Sequence, residues 1–365
     1  AEGCQLTLDE AEEVLSMIER LDLFSDVKTV AGDLDLEEHL PVAMYAADQN
    51  GKTLIEPIAD EAIEAYLSAV LAESTGVDCS DLSVVYPPLN GTGNVPVRAI
   101  LDRIGVKQVH VVKEQELPDG NFPTCPYPNP EKKEALALGL AFCDRLAEEG
   151  KAPDLLLATD PDCDRLGIAV RHKDTAGKEN IQLITGNETG ILLLDYICTA
   201  RKEAEALRDG SLSARNAEPA PPGHRHAKPM PAEPVAIKTI VSSKMTDKVA
   251  KNYGVTVIDV LTGFKFIGEQ IGILEAKGEE GRYIFGFEES YGYLSGTYVR
   301  DKDAVDASML ICEMAAYYKK AGKTLVDRLN ELYEAYGYYK NDLMEFAFEG
   351  AAGMEKMNGI MSVLR

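Results

Sequence analysis

No run of apolar residues in this 365-residue chain approaches the length of a membrane-spanning helix, and no basic segment followed by an apolar one opens it. Those absences argue against a secreted or membrane-embedded chain, and the expectation is a soluble, cytoplasmic one. Paired cysteines are also missing. The seven cysteines (Cys4, Cys79, Cys125, Cys143, Cys163, Cys198 and Cys312) are odd in number, scattered, and include no C-x-x-C pair. This pattern argues against a disulfide framework or zinc site, and reduced thiols are expected. Cations are scarce as well, with 37 Lys and Arg against 61 Asp and Glu, a net charge of −24. Such a field repels nucleic acid and anionic lipid, so neither is expected as a partner. It repels phosphorylated metabolites too, so any site for them must be built from local cations.

What is present is ordinary for a globular protein: 45% hydrophobic and 27% charged residues. Thr7 and Glu10 form a capping-box pattern ahead of Ala11, Val14, Leu15 and Ile18 at helical spacing, which predicts a helix to about Leu21. A second helix is predicted from Asp60 to Leu71. Strands and helices then alternate: a strand at Leu82–Tyr86, a helix at Val95–Ile104, a strand at Val109–Val112, a long helix from Pro130 to Glu149, and strands at Asp154–Thr159 and Leu166–Val170. This rhythm predicts an α/β domain with a largely parallel sheet. After a helix near Gly190–Lys202 and a loop from Asp209 to Pro234 rich in Pro, Ala, Ser and Gly, the pattern restarts. It runs through Val235–Val241, Met245–Tyr253, Val255–Val260, Tyr283–Phe287 and a helix at Asp303–Ala321. Two similar α/β units in tandem are expected. His224 and His226 in the loop offer metal ligands in principle, with a solvated loop the plainer reading. The end, a strand at Leu343–Gly350 and a helix at Ala352–Leu364, reads as the opening of a further element.

Three motifs carry chemistry. Asp160-Pro161-Asp162-Cys163-Asp164-Arg165 follows a buried strand. Three carboxylates at alternating positions on a tight loop converge on one hard cation, and oxygen ligands suit Mg²⁺. An EF-hand is excluded, because its sixth and twelfth positions would hold Arg165 and Arg171. A dehalogenase-type phosphatase also places Asp-x-Asp after a strand, but expects Thr or Val where this chain has Asp164; it remains the alternative. In Gly286-Phe287-Glu288-Glu289-Ser290-Tyr291-Gly292-Tyr293, carboxylates beside a serine suit the recognition of hydroxyls, against the plainer reading of two glutamates facing solvent. In Leu261-Thr262-Gly263-Phe264-Lys265-Phe266-Ile267-Gly268, a lysine between aromatic residues can grip a phosphate or act as a base, or simply lie along an apolar surface.

Taken in this order, with Pro88-Leu89-Asn90-Gly91-Thr92-Gly93-Asn94 upstream, the motifs resemble those of the α-D-phosphohexomutase family over nearly the whole chain. The resemblance implies a mixed, largely parallel α/β fold with residues 1–57 as the remnant of a first domain and linker. Residues 58–178 would form a second domain, 179–342 a third, and 343–365 the start of a fourth. It implies that Asp160, Asp162 and Asp164 bind Mg²⁺ and that Arg165 touches the transferring phosphoryl group. Glu288 and Ser290 would hold sugar hydroxyls, and Lys265 would lie in the active-site segment as a catalytic and substrate-binding residue. The implied reaction interconverts glucose 1-phosphate and glucose 6-phosphate through glucose 1,6-bisphosphate, with a mannose or pentose phosphate as the alternative substrate. Asn90 stands where the family often has histidine. The family's Thr-Ala-Ser-His-Asn-Pro-like segment, which carries the phosphorylated serine, does not occur in these residues and is expected upstream of Ala1. A loop rich in Arg, Ser, Gly and Thr that closes the family's cleft is expected beyond Arg365. Without that serine, a non-catalytic phosphosugar-binding protein is the further alternative.

Overall fold

The computed structural model describes residues 5–22, 24–26, 58–174, 176–209, 226–344 and 346–364. Helix α1 (Leu8–Ile18) begins at the predicted capping box: Thr7 accepts from the Glu10 N–H, and the Glu10 side chain accepts from the Thr7 N–H. Helix α2 (Asp60–Leu71) follows. The first unit then runs β1 (Ser83–Tyr86), α3 (Asn94–Arg103), β2 (Gln108–Val111), α4 (Ala137–Glu148), β3 (Leu155–Thr159), β4 (Leu166–Lys173) and β5 (Glu179–Ile184). Helix α5 (Gly186–Arg208) leads to the second unit. There the order is β6 (Val235–Thr239), α6 (Met245–Tyr253), β7 (Thr256–Val260), α7 (Phe264–Ala276), β8 (Tyr283–Phe287), β9 (Tyr293–Leu294) and α8 (Ala304–Lys320). Helices α9 (Leu325–Tyr336) and α10 (Gly350–Leu364) complete the chain.

The first sheet has the order β2-β1-β3-β4-β5 and the second β7-β6-β8-β9. In both, the first strand of the unit lies between the second and third in parallel, and the fourth pairs antiparallel with the third. The two units therefore share one topology, as the repeating pattern predicted. Strands β1, β3, β6 and β8 are buried throughout, which is why they read as continuous apolar runs rather than alternating ones. β5 continues the first sheet past residue 178, so the strand falls beyond the boundary expected there. Its sequence Glu-Asn-Ile-Gln-Leu-Ile is too polar, at an edge, to announce itself.

Two helices join the units. α8 touches β3 and β4 of the first sheet and β9 of the second, while α5 packs on β8, α6 and α9. Both are buried around most of their circumference, as interior helices must be. One continuous apolar cluster accordingly takes in Val84 and Leu157 from one sheet, Ile284 and Phe287 from the other, and Leu193, Tyr196, Leu310 and Met314 between them.

Buried charges fasten these helices. Asp195 on α5 is fully buried and accepts from Arg328 of α9 through Nε and Nη2, each at 2.9 Å, and from the Tyr253 hydroxyl at 2.8 Å. On α8, buried Glu313 accepts from the backbone N–H groups of Thr75 (2.9 Å) and Gly76 (3.1 Å), tying down the loop after α2.

Two predicted elements differ. The segment ahead of α4 is not helical until Ala137. The Asn129 side chain accepts from the Glu131 N–H, and residues 132–136 form successive i→i−3 turns. The residues at 343–350, read as a strand, form none among the described residues, and Leu343, Met344 and Phe346 are exposed. Residues 210–225 of the Pro-rich loop, with His224, lie outside the described residues. His226 donates its backbone N–H to the Thr75 carbonyl at 3.1 Å and sets its ring over Gly76.

Removing one partner of the Asp195–Arg328 pair strands a charge in the interior. Arg328→Met is expected to destabilise the fold by about 3 kcal/mol, read as a lowered midpoint in urea denaturation. A midpoint equal to the wild type's would mean that the pair contributes nothing.

Candidate active site

The Asp160–Arg165 loop is the turn between β3 and β4. The strand carries Asp160 into the interior, where it is fully buried. The Cys163 N–H donates to the Asp160 carbonyl at 3.0 Å, and Cys163 takes a left-handed backbone with φ of 61°. The carboxylate then organises the rest of the turn. Asp160 Oδ1 accepts from the backbone N–H groups of Asp164 (3.1 Å) and Arg165 (2.9 Å), and Oδ2 from Arg165 Nε at 2.6 Å. Burial pushes the Asp160 carboxyl up to about 6, against the opposing pull of the Arg165 hydrogen bonds.

The result is the predicted convergence. One oxygen each of Asp160, Asp162 and Asp164 lies within 4.8 Å of the others. Asp164 Oδ1 is buried with no hydrogen-bond partner. Arg165 Nε stands 3.6 Å from it, and a bound ion or water would satisfy such an oxygen; an all-carboxylate donor set suits a hard divalent cation. The residues fit such an ion.

The turn is held from outside by the loop after β1. Thr92 donates to the Pro161 carbonyl through its backbone N–H (2.8 Å) and through its hydroxyl (3.1 Å). Gly91 sits so close that a Cβ there would lie 2.4 Å from the Pro161 Cα. Asn90 donates from Nδ2 to the Leu117 carbonyl at 2.8 Å, so it props the neighbouring loop.

Glu288 and Ser290 lie on the turn between β8 and β9, the same place in the second unit that the aspartates hold in the first. Glu288 is 4% exposed, and its Oε1 accepts the Gly263 N–H at 2.9 Å. Burial raises its carboxyl above the usual range. The Glu288 N–H closes the turn by donating to the Gly292 carbonyl at 2.9 Å. Glu289 is engaged elsewhere, accepting from the Thr239 hydroxyl at 2.7 Å. Ser290 is half-buried.

The two turns meet. Arg165 and Gly292 form an antiparallel bridge, and the Leu166 N–H donates to the Tyr291 carbonyl at 3.0 Å. Arg165 thus stands at the seam, its Nη1 3.2 Å from Glu131 Oε1 and its Nε on Asp160. Lys265 lies in the first turn of α7, shortly after the Gly263 that binds Glu288. Its ammonium stands 5.3 Å from the Phe266 ring centre and makes no ion pair among the described residues. The lysine therefore lies against one aromatic neighbour, and Phe264 is buried in the second unit's core.

Lys302 escaped the sequence reading. Its Nζ lies 2.7 Å from Asp164 Oδ2 and 3.3 Å from Asp301 Oδ1, with 13% of the side chain exposed. Burial works against its charge, but Asp164 and Asp301 outweigh it and hold the ammonium more firmly protonated than a free lysine. The backbone beside it is pinned on both sides: Asp303 N–H donates to the Tyr293 carbonyl (2.9 Å) and Ala304 N–H to the Cys163 carbonyl (3.2 Å). A lysine between two aspartates just ahead of a helix was the available signal.

The domain description "Phosphoglucomutase/phosphomannomutase, alpha/beta/alpha domain II" matches residues 64–174, and domain III of the same set matches residues 223–336. The phosphoglucomutase of Staphylococcus aureus (strain USA300) is 33% identical over all 365 residues, which cover 56% of its length. That of Staphylococcus saprophyticus is 33% identical over 317 residues, covering 87% of this chain and 50% of its own. The chain thus spans about half the length of these curated relatives. Among solved structures, the open form of parafusin, a phosphoglucomutase from Paramecium, aligns with a TM-score of 0.57 at 15% identity, over 92% of this chain and 52% of its own. A putative phosphomannomutase from Thermus thermophilus aligns at 0.54 and 20% identity, over 82% and 57%. At those identities the structures establish the fold.

Gly91→Ala is expected to displace Pro161 and distort the carboxylate turn. Calorimetric titration with Mn²⁺ should then show roughly tenfold weaker binding, in line with the 10–100-fold effects of disturbing the support of a metal site. Unchanged affinity would mean that the turn holds its shape without the loop behind it.

Proposed function

This chain belongs to the α-D-phosphohexomutase family, and we propose that its two facing turns form the metal and sugar halves of a site that moves a phosphoryl group between the 1- and 6-positions of a hexose phosphate. The observation that carries the reading is the antiparallel bridge from Arg165 to Gly292. It places a three-carboxylate turn and a glutamate–serine turn side by side.

In this reading Asp160, Asp162 and Asp164 hold Mg²⁺, which supplies Lewis-acid neutralisation of phosphoryl oxygens. The chain's own groups do the rest. Arg165, clasped by Asp160 and Glu131, presents a fixed guanidinium to the transferring group. Lys302 adds a second held cation beside Asp164. Glu288 and Ser290 take ring hydroxyls, and the hydrogen bond from Gly263 fixes the carboxylate that does so. Lys265, in the first turn of α7 two residues after Gly263, would grip a phosphate of the substrate or act as a base. Phosphoryl transfer asks mainly for such positioning and charge stabilisation. Glucose 1,6-bisphosphate is the intermediate the family's chemistry implies, and no residue of these 365 is assigned the serine's role. The alternative of a dehalogenase-type phosphatase requires Asp160 as nucleophile. That class also expects Thr or Val where this chain has Asp164, which disfavours it.

The test is a coupled assay on the whole gene product carrying this chain, with glucose 1-phosphate, Mg²⁺ and glucose 1,6-bisphosphate. Mannose 1-phosphate and ribose 1-phosphate are run alongside. Formation of glucose 6-phosphate is expected; release of inorganic phosphate instead would favour the phosphatase. In that assay Asp162→Asn should lose the Mg²⁺-dependent rate, and full retention would remove the triad from the mechanism. Glu288→Ala should raise KM for the sugar phosphate about 10–100-fold, the worth of a hydrogen bond to a charged group. An unchanged KM would move the sugar elsewhere.

A further inference from the structure

Each carboxylate of the triad differs in how many of its oxygens remain available. Asp162 is exposed, while both oxygens of Asp160 already accept hydrogen bonds. Asp164 is split: Oδ2 is bound by Lys302 Nζ at 2.7 Å, while Oδ1 is buried without a hydrogen bond, its nearest cation being Arg165 Nε at 3.6 Å. Lys302 has little freedom to leave. Its stem lies against Gly292, where a Cβ would approach the lysine Cδ to 2.5 Å, and its ammonium stands 6.0 Å from the Phe264 ring centre. The backbone that follows it is pinned by the Asp303 and Ala304 hydrogen bonds.

We propose that Lys302 is a metal-specificity residue: its positive charge, held on Oδ2, disfavours chelation by Asp164 through both oxygens and so biases the site toward a small six-coordinate cation and against Ca²⁺. The physical basis is coordination number. Ca²⁺ takes six to eight oxygens and gains from carboxylates that chelate through both, whereas Mg²⁺ requires compact octahedral geometry and takes one oxygen from each. An ammonium supplied from the second unit thus sets which ion the first unit accepts. This rests on the reading that the triad holds a divalent cation.

The experiment uses the whole gene product, stripped of metal, with Mn²⁺ bound as a spectroscopic probe and displaced by Mg²⁺ or by Ca²⁺. In the wild type Mg²⁺ should displace Mn²⁺ more readily than Ca²⁺ does. In Lys302→Met the ratio of the two affinities should shift about tenfold toward Ca²⁺, while Lys302→Arg, which still donates to Oδ2, should keep the wild-type ratio. Lys302→Ala is run beside Lys302→Met, and circular dichroism of both verifies the fold, so that lost packing against Gly292 is read separately. Equal changes in the two affinities, with the ratio constant, would make Lys302 a bystanding charge and overturn the proposal. A wild-type protein that binds no Mn²⁺ would overturn it together with the metal reading beneath it.

Discussion

Everything in the proposed site depends on one short stretch of shared backbone: the bridge from Arg165 to Gly292 and the Leu166–Tyr291 hydrogen bond beside it. Each unit alone ends its third strand in a turn that carries functional groups. Only the bridge sets the two turns at a fixed spacing. It is in turn secured by α8, whose first N–H binds the Cys163 carbonyl and whose apolar faces touch both sheets. A hydrogen bond between loops is worth little in water, but with the helix packed beneath it the arrangement has no alternative close by.

Local charge bears on how the proposed site could serve phosphate chemistry in a chain of net charge −24. Around the aspartate turn stand five carboxylates (Asp160, Asp162, Asp164, Glu131 and Asp301) against two cations, Arg165 and Lys302. The turn thus carries an excess of negative charge, which suits the cation of the proposed site. The surplus of negative charge is what a divalent ion would cancel, and only a cancelled site ceases to repel an anionic sugar phosphate. The two cations are held by short contacts rather than left free, so they are present before any ligand arrives.

The aspartate turn was legible because its logic is local. A buried strand, three carboxylates at alternate positions and an arginine all lie close together in the chain, and the same holds for the glutamate–serine turn. The tandem α/β pattern was legible for a similar reason, since fully buried strands leave continuous apolar runs. Lys302 was not, because its partner Asp164 lies in the other unit and nothing in the spacing announces the pairing. Strand β5 escaped because an edge strand needs no apolar face. The helix at Pro130–Glu149 was drawn too long because Asn129 captures the Glu131 N–H. That same turn is what swings Glu131 toward Arg165. Lys265 had the right neighbours in sequence, yet the helix start turns Phe264 into the core and leaves the lysine beside Phe266 alone.

The position of α8 also bears on the order in which this chain is made. Its residues cover β3 and β4, yet they follow the end of β4 by about 130–150 positions. At translation rates of about 5–20 residues per second, the first sheet would leave the ribosome roughly 7–30 s before the helix that seals it. During that interval Leu157, Leu166 and Ile168 lack one wall of their eventual core. Nascent chains in that state are the ones that chaperones hold, so a shared helix made this late brings a longer period of exposure at birth.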